Sequence, residues 1–169
     1  MLELQPVTSE STLRQVFGCF PSGVTAVCAL IDGTPSGMAA SSFTSVSVDP
    51  PLVSVCIQNT STTWPKLRAR LRLGLSVLSE EQEEACVRLS TKDGDRFRDV
   101  PWDAGPDDSL FIPGACAWLE CSLHDEVEAG DHLIALLRIH RLRAATGTPP
   151  LVFHGRRFRK LATACQEER

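Results

Sequence analysis

Two stretches of this chain carry residue types able to hold a reactive molecule rather than attack one. In Pro35 to Ile57, PSGMAASSFTSVSVDPPLVSVCI, small Gly37, Ala39 and Ala40 stand where a strand would normally carry bulk. Ser41, Ser42, Thr44, Ser45 and Ser47 add hydroxyls that can donate or accept hydrogen bonds. The combination suits a flat ligand lying against backbone, and it suits equally well the plain packing of one strand on another. In the second stretch, Ser61, Thr62 and Thr63 precede Trp64 at an expected helix start, where hydroxyls and free N–H groups make a place for a phosphate. Gln58 and Asn59 bring no base to it, so charge there would have to come from Lys66, an arginine of that helix, or a partner subunit.

The other chemistries are poorly supplied. No G-x-S-x-G elbow accompanies the many serines, and neither G-x-G-x-x-G nor G-x-x-x-x-G-K is present. Carboxylates pair only as neighbours, Glu80/Glu81, Glu83/Glu84 and Asp107/Asp108, an arrangement of solvated surface more than of acid–base catalysis. Cys116, Cys121, His124 and His132 do not converge on a metal, because in an extended segment Cys121 faces away from both Cys116 and His124. His132 stands out among the histidines: Gly130 and Asp131 put it at the mouth of a strand, where it either borders a cleft or bonds a surface aspartate. His140 is expected on the same face, deeper along the strand.

The elements that must position these residues follow from periodicity. A helix is expected from Ser9 to about Phe20, capped by Ser9 or Ser11, with Leu13, Val16, Phe17 and Phe20 as its apolar stripe. Gly23 to Ile31 reads as a strand that turns at Asp32-Gly33, and the small-residue stretch returns beside it as a meander. Pro50-Pro51 interrupts, and Leu52 to Ile57 resumes. Ser61 or Thr62 caps a helix with Trp64, Leu67 and Leu71 on one face and Lys66, Arg68, Arg70 and Arg72 on the other. Leu73 to Leu78 is a strand, and Ser79 with Gln82 forms the capping box of a helix ending near Ser90. Arg98 to Ser109 is a long loop, a candidate lid or edge of a binding site, with Trp102 as its candidate anchor. Ala115 to Leu123 alternates as a strand, His132 to Leu142 follows, and Leu151 to Phe158 makes a last hairpin before a polar, frayed tail beyond Leu161.

About seven strands, two or three helices and no repeating βαβ unit give a mainly β fold with flanking helices, an antiparallel Greek-key or meander barrel. The 169 residues suit one domain, with its core at about 11–161. A formal charge of −4 argues against a nucleic-acid footprint. Without a basic-then-apolar start or a long apolar run, the expected location is the cytoplasm. Cys19, Cys28, Cys56, Cys86, Cys116, Cys121 and Cys165 are odd in number and read as reduced core residues.

Taken together, GMAASSFTSVSVDPPLVSVCIQNTSTTWPKL, LGLSVL, GDRF at Gly94 to Phe97, AWLEC at Ala117 to Cys121, GDH at Gly130 to His132 and PLVFHGRRF at Pro150 to Phe158 resemble the flavin reductase family. The resemblance covers Ser11 to Leu161 in order. It implies an FMN-binding split barrel, a homodimer, and hydride transfer from NADH or NADPH to FAD or FMN for a partner monooxygenase. By the same resemblance, Met38, Ala39, Ala40, Ser41, Ser42 and Phe43 contact the flavin ring. Ser47, Asn59, Ser61 and Thr62 serve the ribityl and phosphate end. Arg96, Phe97, His132 and Phe158 lie around the nicotinamide and flavin face, with His132 positioning first and donating a proton second. Two further readings are a protein that keeps its flavin tightly bound and a non-catalytic interaction protein.

Overall fold

The structure, a computed structural model, describes residues 2–162. Its elements run in the order α1 (Glu10–Phe17), β1 (Ser22–Gly23), β2 (Thr25–Ile31), β3 (Thr34–Ala40), β4 (Thr44–Ser47), β5 (Leu52–Gln58), α2 (Trp64–Leu67), β6 (Leu73–Val77), α3 (Glu83–Ser90), β7 (Asp103–Ala104), β8 (Leu110–Phe111), β9 (Ala117–Ala129), β10 (His132–Ala144), β11 (Val152–His154) and β12 (Arg157–Arg159). Seven strands form one antiparallel sheet in the order β3-β2-β6-β9-β10-β5-β4, and β1, β11 and β12 form a smaller one. This is the expected split barrel, mainly β, with α3 packed outside it and α2, against expectation, reaching into the inner core.

Alternation along the strands feeds two apolar clusters, one on each face of the sheet. Val27 and Ala29 of β2 join Val53, Val55 and Ile57 of β5 and Ala135 and Leu137 of β10 inside the barrel. Ala26 and Cys28, on the opposite face of β2, join Leu89 of α3 and Phe97 outside it. The chain packs closely enough that some glycines are obligatory. A Cβ on Gly74 would lie 2.0 Å from the Leu110 carbonyl oxygen, so β8 can cross β6 only over a glycine.

One turn of helix, α2, plugs the barrel. Trp64 and Leu67 are both buried in the inner cluster. Trp64 Nε1 donates to Glu126 Oε1 at 2.6 Å, and Arg68 pairs with the other oxygen of the same carboxylate at 2.5 Å. The helix stops at Leu67, so Leu71 falls outside it and is exposed rather than sharing the buried face.

The expected meander does not form. Asp32 and Gly33, at φ 51 and 77, make the β2–β3 hairpin. Ser41 to Phe43 then carry the chain from one edge of the sheet to the other, where β4 pairs with β5. Ser42 Oγ fixes the crossing by accepting from Cys56 N at 2.9 Å and donating to Cys56 O at 3.2 Å. β3 and β5 are not hydrogen-bonded neighbours, and their divergence is the split of the barrel.

Elsewhere the local chemistry behaves as expected or differs for a visible reason. Ser9 caps α1 by accepting from Thr12 N, yet no residue of α1 is buried and Val16, Phe17 and Phe20 stay largely exposed. The Ser79–Gln82 capping box forms, with α3 ending at Ser90. In the long loop Val100 packs into the outer cluster, while Trp102, the expected anchor, remains partly exposed. Cys28, Cys86 and Cys121 are core residues; Cys19 and Cys56 are exposed, and Cys165 lies outside the described residues, as does the tail from 163. His140 sits at an irregularity of β10 between Ile139 and Arg141, which turns it out to solvent, 2.8 Å from Ser122 Oγ, rather than deep on the face of His132.

Candidate functional site

The split between β3 and β5 opens into a groove of about 600 Å³, within the size range of small-molecule sites. One wall is the end of β3, Met38, Ala39 and Ala40, continued by Ser41 and Ser42. The other is the end of β5, Cys56, Ile57 and Gln58, followed by the turn Thr60, Ser61 and Thr62. Leu89 and Ser90 of α3, then Lys92, Asp93 and Arg96, close one end, and His132 stands at the head of β10.

The small residues along β3 divide between two purposes. Ala39 and Ala40 line the groove, leaving room for a flat group against backbone. Gly37 serves packing instead: a Cβ there would lie 2.5 Å from Cys28 Sγ and 3.1 Å from Phe97 Cζ. Both readings of this stretch therefore hold, residue by residue.

Positive charge at the hydroxyl end comes from an unexpected source. α2 has only four residues, too few for a helix dipole of consequence, and Ser61 Oγ accepts from Trp64 N at 3.1 Å. Of the basic residues in and after it, Lys66 does not line the groove, Arg68 is paired with Glu126 and Arg72 lies 3.5 Å from Glu120. Arg96 supplies the charge instead. It donates from Nη1 to Thr63 Oγ1 at 2.8 Å and to Gly37 O at 3.1 Å, while Lys92 lines the groove nearby. The turn that aims Arg96 is held by Asp95 Oδ1, which accepts from Phe97 N at 2.9 Å. The guanidinium is fixed by two neutral acceptors and forms no ion pair among the described residues, while Asp93 lines the same groove.

At the other side of the groove, His132 is fixed by its turn. Gly130 adopts φ 68, and Asn59 clamps the turn from β5, donating from its backbone N to Asp131 O at 3.0 Å and from Nδ2 to Gly130 O at 3.1 Å. His132 Nδ1 lies 2.8 Å from Asp131 Oδ1. That hydrogen bond, with the imidazole charge behind it, holds the Asp131 carboxyl below its usual range.

Of the residues expected at the site, the groove gathers Met38, Ala39, Ala40, Ser41, Ser42, Ser61, Thr62, Arg96 and His132. Phe43 instead packs against the inner cluster and Phe97 is buried in the outer one. Ser47 ends β4 and does not line the groove. Asn59 holds the His132 turn rather than lining the phosphate end. Phe158 packs edge-on to Phe153, centroids 5.4 Å apart, in a side cavity that shares Ala39, Ala40, Ser41 and Ser90 with the groove. Sequence reasoning missed Cys56, Ile57, Gln58, Thr60, Leu89, Ser90, Lys92 and Asp93. Adjacency could have signalled Gln58 and Thr60, which flank Asn59, and Lys92-Asp93, which precede the GDRF turn.

Among the described residues of the groove, no hydrogen bond joins His132 to a serine, threonine or cysteine; its ring bonds Asp131. Small walls, a hydroxyl turn backed by a guanidinium and a clamped imidazole fit a flat ring system with a phosphate-bearing tail.

Known proteins of the same shape carry that chemistry in their names. Residues 17–162 match the family described as "Flavin reductase like domain". A flavin reductase of Pseudomonas putida is 40% identical over 142 residues, 83% of this chain and 84% of that protein. The flavin-dependent monooxygenase reductase subunit HsaB of Rhodococcus jostii is 36% identical over 141 residues, 83% of this chain and 72% of its own length. Among solved structures, the NADH:FAD oxidoreductase SgcE6 of Streptomyces globisporus, in complex with NAD and FAD fragments, superposes with a TM-score of 0.88 at 36% identity, covering 99% of this chain and 100% of that one. The family match runs through both walls of the groove, the GDRF turn and the His132 turn, and this chain belongs to the flavin reductase like domain family.

Proposed function

We propose that this chain is an NADH-dependent flavin reductase: NADH gives a hydride to FAD or FMN in the groove between β3 and β5, and the reduced flavin leaves to supply an oxygenase. The balance is NADH, oxidised flavin and one proton in, NAD+ and reduced flavin out. The observation that carries the reading is the groove itself, small-walled on β3 with Arg96 behind the Ser61–Thr63 turn, in a chain of this family.

The isoalloxazine supplies the redox chemistry, so the protein's task is placement. Ala39 and Ala40 let a ring lie close to the β3 backbone. Ser41 and Ser42 offer polar groups to its edge, although Ser42 Oγ is already engaged with Cys56. Arg96, with Lys92, neutralises a phosphate next to Ser61 and Thr62. His132, its Nδ1 side tied to Asp131, lines the groove, where it would position nicotinamide or flavin and give up a proton. FAD is the first flavin to test and NADH the first reductant, after the Streptomyces globisporus relative. Phe43, Ser47, Asn59, Phe97 and Phe158 act through packing or through the His132 turn rather than by direct contact.

A homodimer goes with this reading. Val46, Val48, Phe17, Phe20 and Leu142 are large apolar side chains left exposed on one chain, of the kind a second copy covers. No helix among the described residues is long and apolar enough to cross a membrane, and the reading places the protein in the cytoplasm, with the reduced nicotinamide it needs.

Steady-state NADH oxidation with and without added FAD or FMN tests the proposal. Turnover that requires added flavin supports it. Flavin that survives gel filtration would point to a tightly held prosthetic group, and no change in flavin fluorescence on titration would leave an interaction protein.

A further inference from the structure

The inner face of β9 is apolar as far as Leu123, with Leu119, Cys121 and Leu123 all meeting the inner cluster. Straight alternation would next turn Asp125 and Val127 inward. Instead the pairing with β10 slips: Leu137 lies opposite Leu123 and Leu136 opposite Asp125, which leaves His124 as the extra residue of a bulge. After the bulge Glu126 stands opposite Ala135, a member of the inner cluster, so a carboxylate faces into the barrel while Val127 is left exposed.

Glu126 does not line the groove, yet both of its oxygens act on the element that carries the groove's hydroxyl end. Oε1 accepts from the buried Trp64 Nε1 at 2.6 Å, and Oε2 pairs with Arg68, the residue that closes α2. Trp64 in turn holds the hydroxyl turn. Its backbone N donates to Ser61 Oγ at 3.1 Å, Ser61 N donates to Gln58 O at 2.9 Å, and Thr63, the next residue back, takes the Arg96 bond on Oγ1. A plug that only filled the barrel would need no carboxylate, since an apolar side chain against a phenyl ring buries similar area without desolvating a charge. A directional bond to the indole adds what apolar packing lacks: it fixes the rotation of Trp64, and with it the place of Ser61.

We propose that Glu126 is a positioning residue for the flavin phosphate: through the Trp64 indole it holds the Ser61–Thr63 turn in place beside Arg96 to receive that phosphate. The inference rests on reading the groove as the flavin site, with the phosphate at this turn. Glu126 acts through Trp64 and touches neither flavin nor nicotinamide.

Riboflavin, which lacks the phosphate, separates positioning from general stability. KM and kcat for FMN and for riboflavin are measured at saturating NADH in wild type, Glu126→Ala, Glu126→Gln and Trp64→Phe. Wild type favours FMN. In Glu126→Ala the KM for FMN rises about tenfold, the loss of one charge-assisted hydrogen bond to the phosphate, while the KM for riboflavin and kcat with either flavin change little. Glu126→Gln still accepts from the indole and recovers most of the loss. Trp64→Phe keeps a ring in the plug and removes the donor, so it reproduces the FMN shift even where Glu126→Ala is too unstable to assay, and adding Glu126→Ala to it brings no further rise. Equal rises for FMN and riboflavin, or no rise for FMN in Trp64→Phe, overturn the proposal and leave the flavin reading standing. Glu126→Gln as impaired as Glu126→Ala also overturns it, because the effect would then run through the charge of Arg68. A wild type that uses riboflavin as readily as FMN, or uses neither, contradicts the reading of the groove itself and takes the proposal with it.

Discussion

Arg96 reaches back 33 positions to donate to Thr63 Oγ1 at 2.8 Å, joining the turn after α3 to the turn before α2. This bond sets a fixed positive charge at the hydroxyl end of the groove, which Lys66 of α2 does not line. Replacing Arg96 with Ala removes the charge and leaves the buried Thr63 hydroxyl without its donor. The flavin KM should rise by about tenfold or more, and stability should fall by about 1 kcal/mol. Flavin titration and urea denaturation measure the two effects separately. An unchanged flavin KM would take Arg96 out of the site.

His132 and Asn59 should act on the same step. His132→Ala is expected to impair NADH use more than flavin binding. Asn59→Ala, which loses the Nδ2 bond to Gly130 O but keeps the backbone bond to Asp131 O, should give a milder version of the same defect. The check is a comparison of KM and kcat for NADH at saturating flavin. Unchanged NADH kinetics in His132→Ala would remove the imidazole from the account.

Gly37→Ala tests the packing share of the small-residue stretch. With Cys28 Sγ 2.5 Å and Val27 O 3.0 Å from the new methyl, overpacking should cost about 1–3 kcal/mol in urea denaturation. Adding Cys28→Ala should restore part of that loss, because the closest clash goes and the backbone one stays. Equal stability of Gly37→Ala and wild type would contradict the packing described for β3.

The thiols separate by depth. Burial pushes Cys28 and Cys121 up to about 12, so at pH 8 their thiolate fraction is on the order of one in ten thousand. Cys56 is exposed on the groove wall. In a Cys19→Ser, Cys165→Ser background, Cys56 should be the fastest thiol to react with a disulfide reagent at pH 8, and saturating flavin should slow it. Modification unaffected by flavin would place flavin away from β5.

Much of this arrangement was legible in the residues because it depends on local chemistry. Asp32-Gly33, the Ser79–Gln82 box and the alternation of Ala117 to Leu123 each specify their element without help from distant parts of the chain. What was hidden depends on contacts far apart in sequence. Nothing between Ser41 and Phe43 announces that the chain crosses the mouth of the barrel, since the tie is made by Cys56 backbone. Asn59 looked like a phosphate ligand until Gly130, 71 residues on, took its amide. Gly37 looked like room for a ligand until Cys28 and Phe97 filled it. Arg96 lay within a recognised motif, but its partner Thr63 could not be read from spacing.

The central claim is that the groove presents flavin to NADH as a substrate, and anaerobic reduction tests it most directly. FAD mixed with NADH should bleach at a rate set by the amount of protein and saturating with flavin concentration, and Arg96→Ala should need more flavin to reach the same rate. Bleaching no faster with the protein than without it would contradict the account.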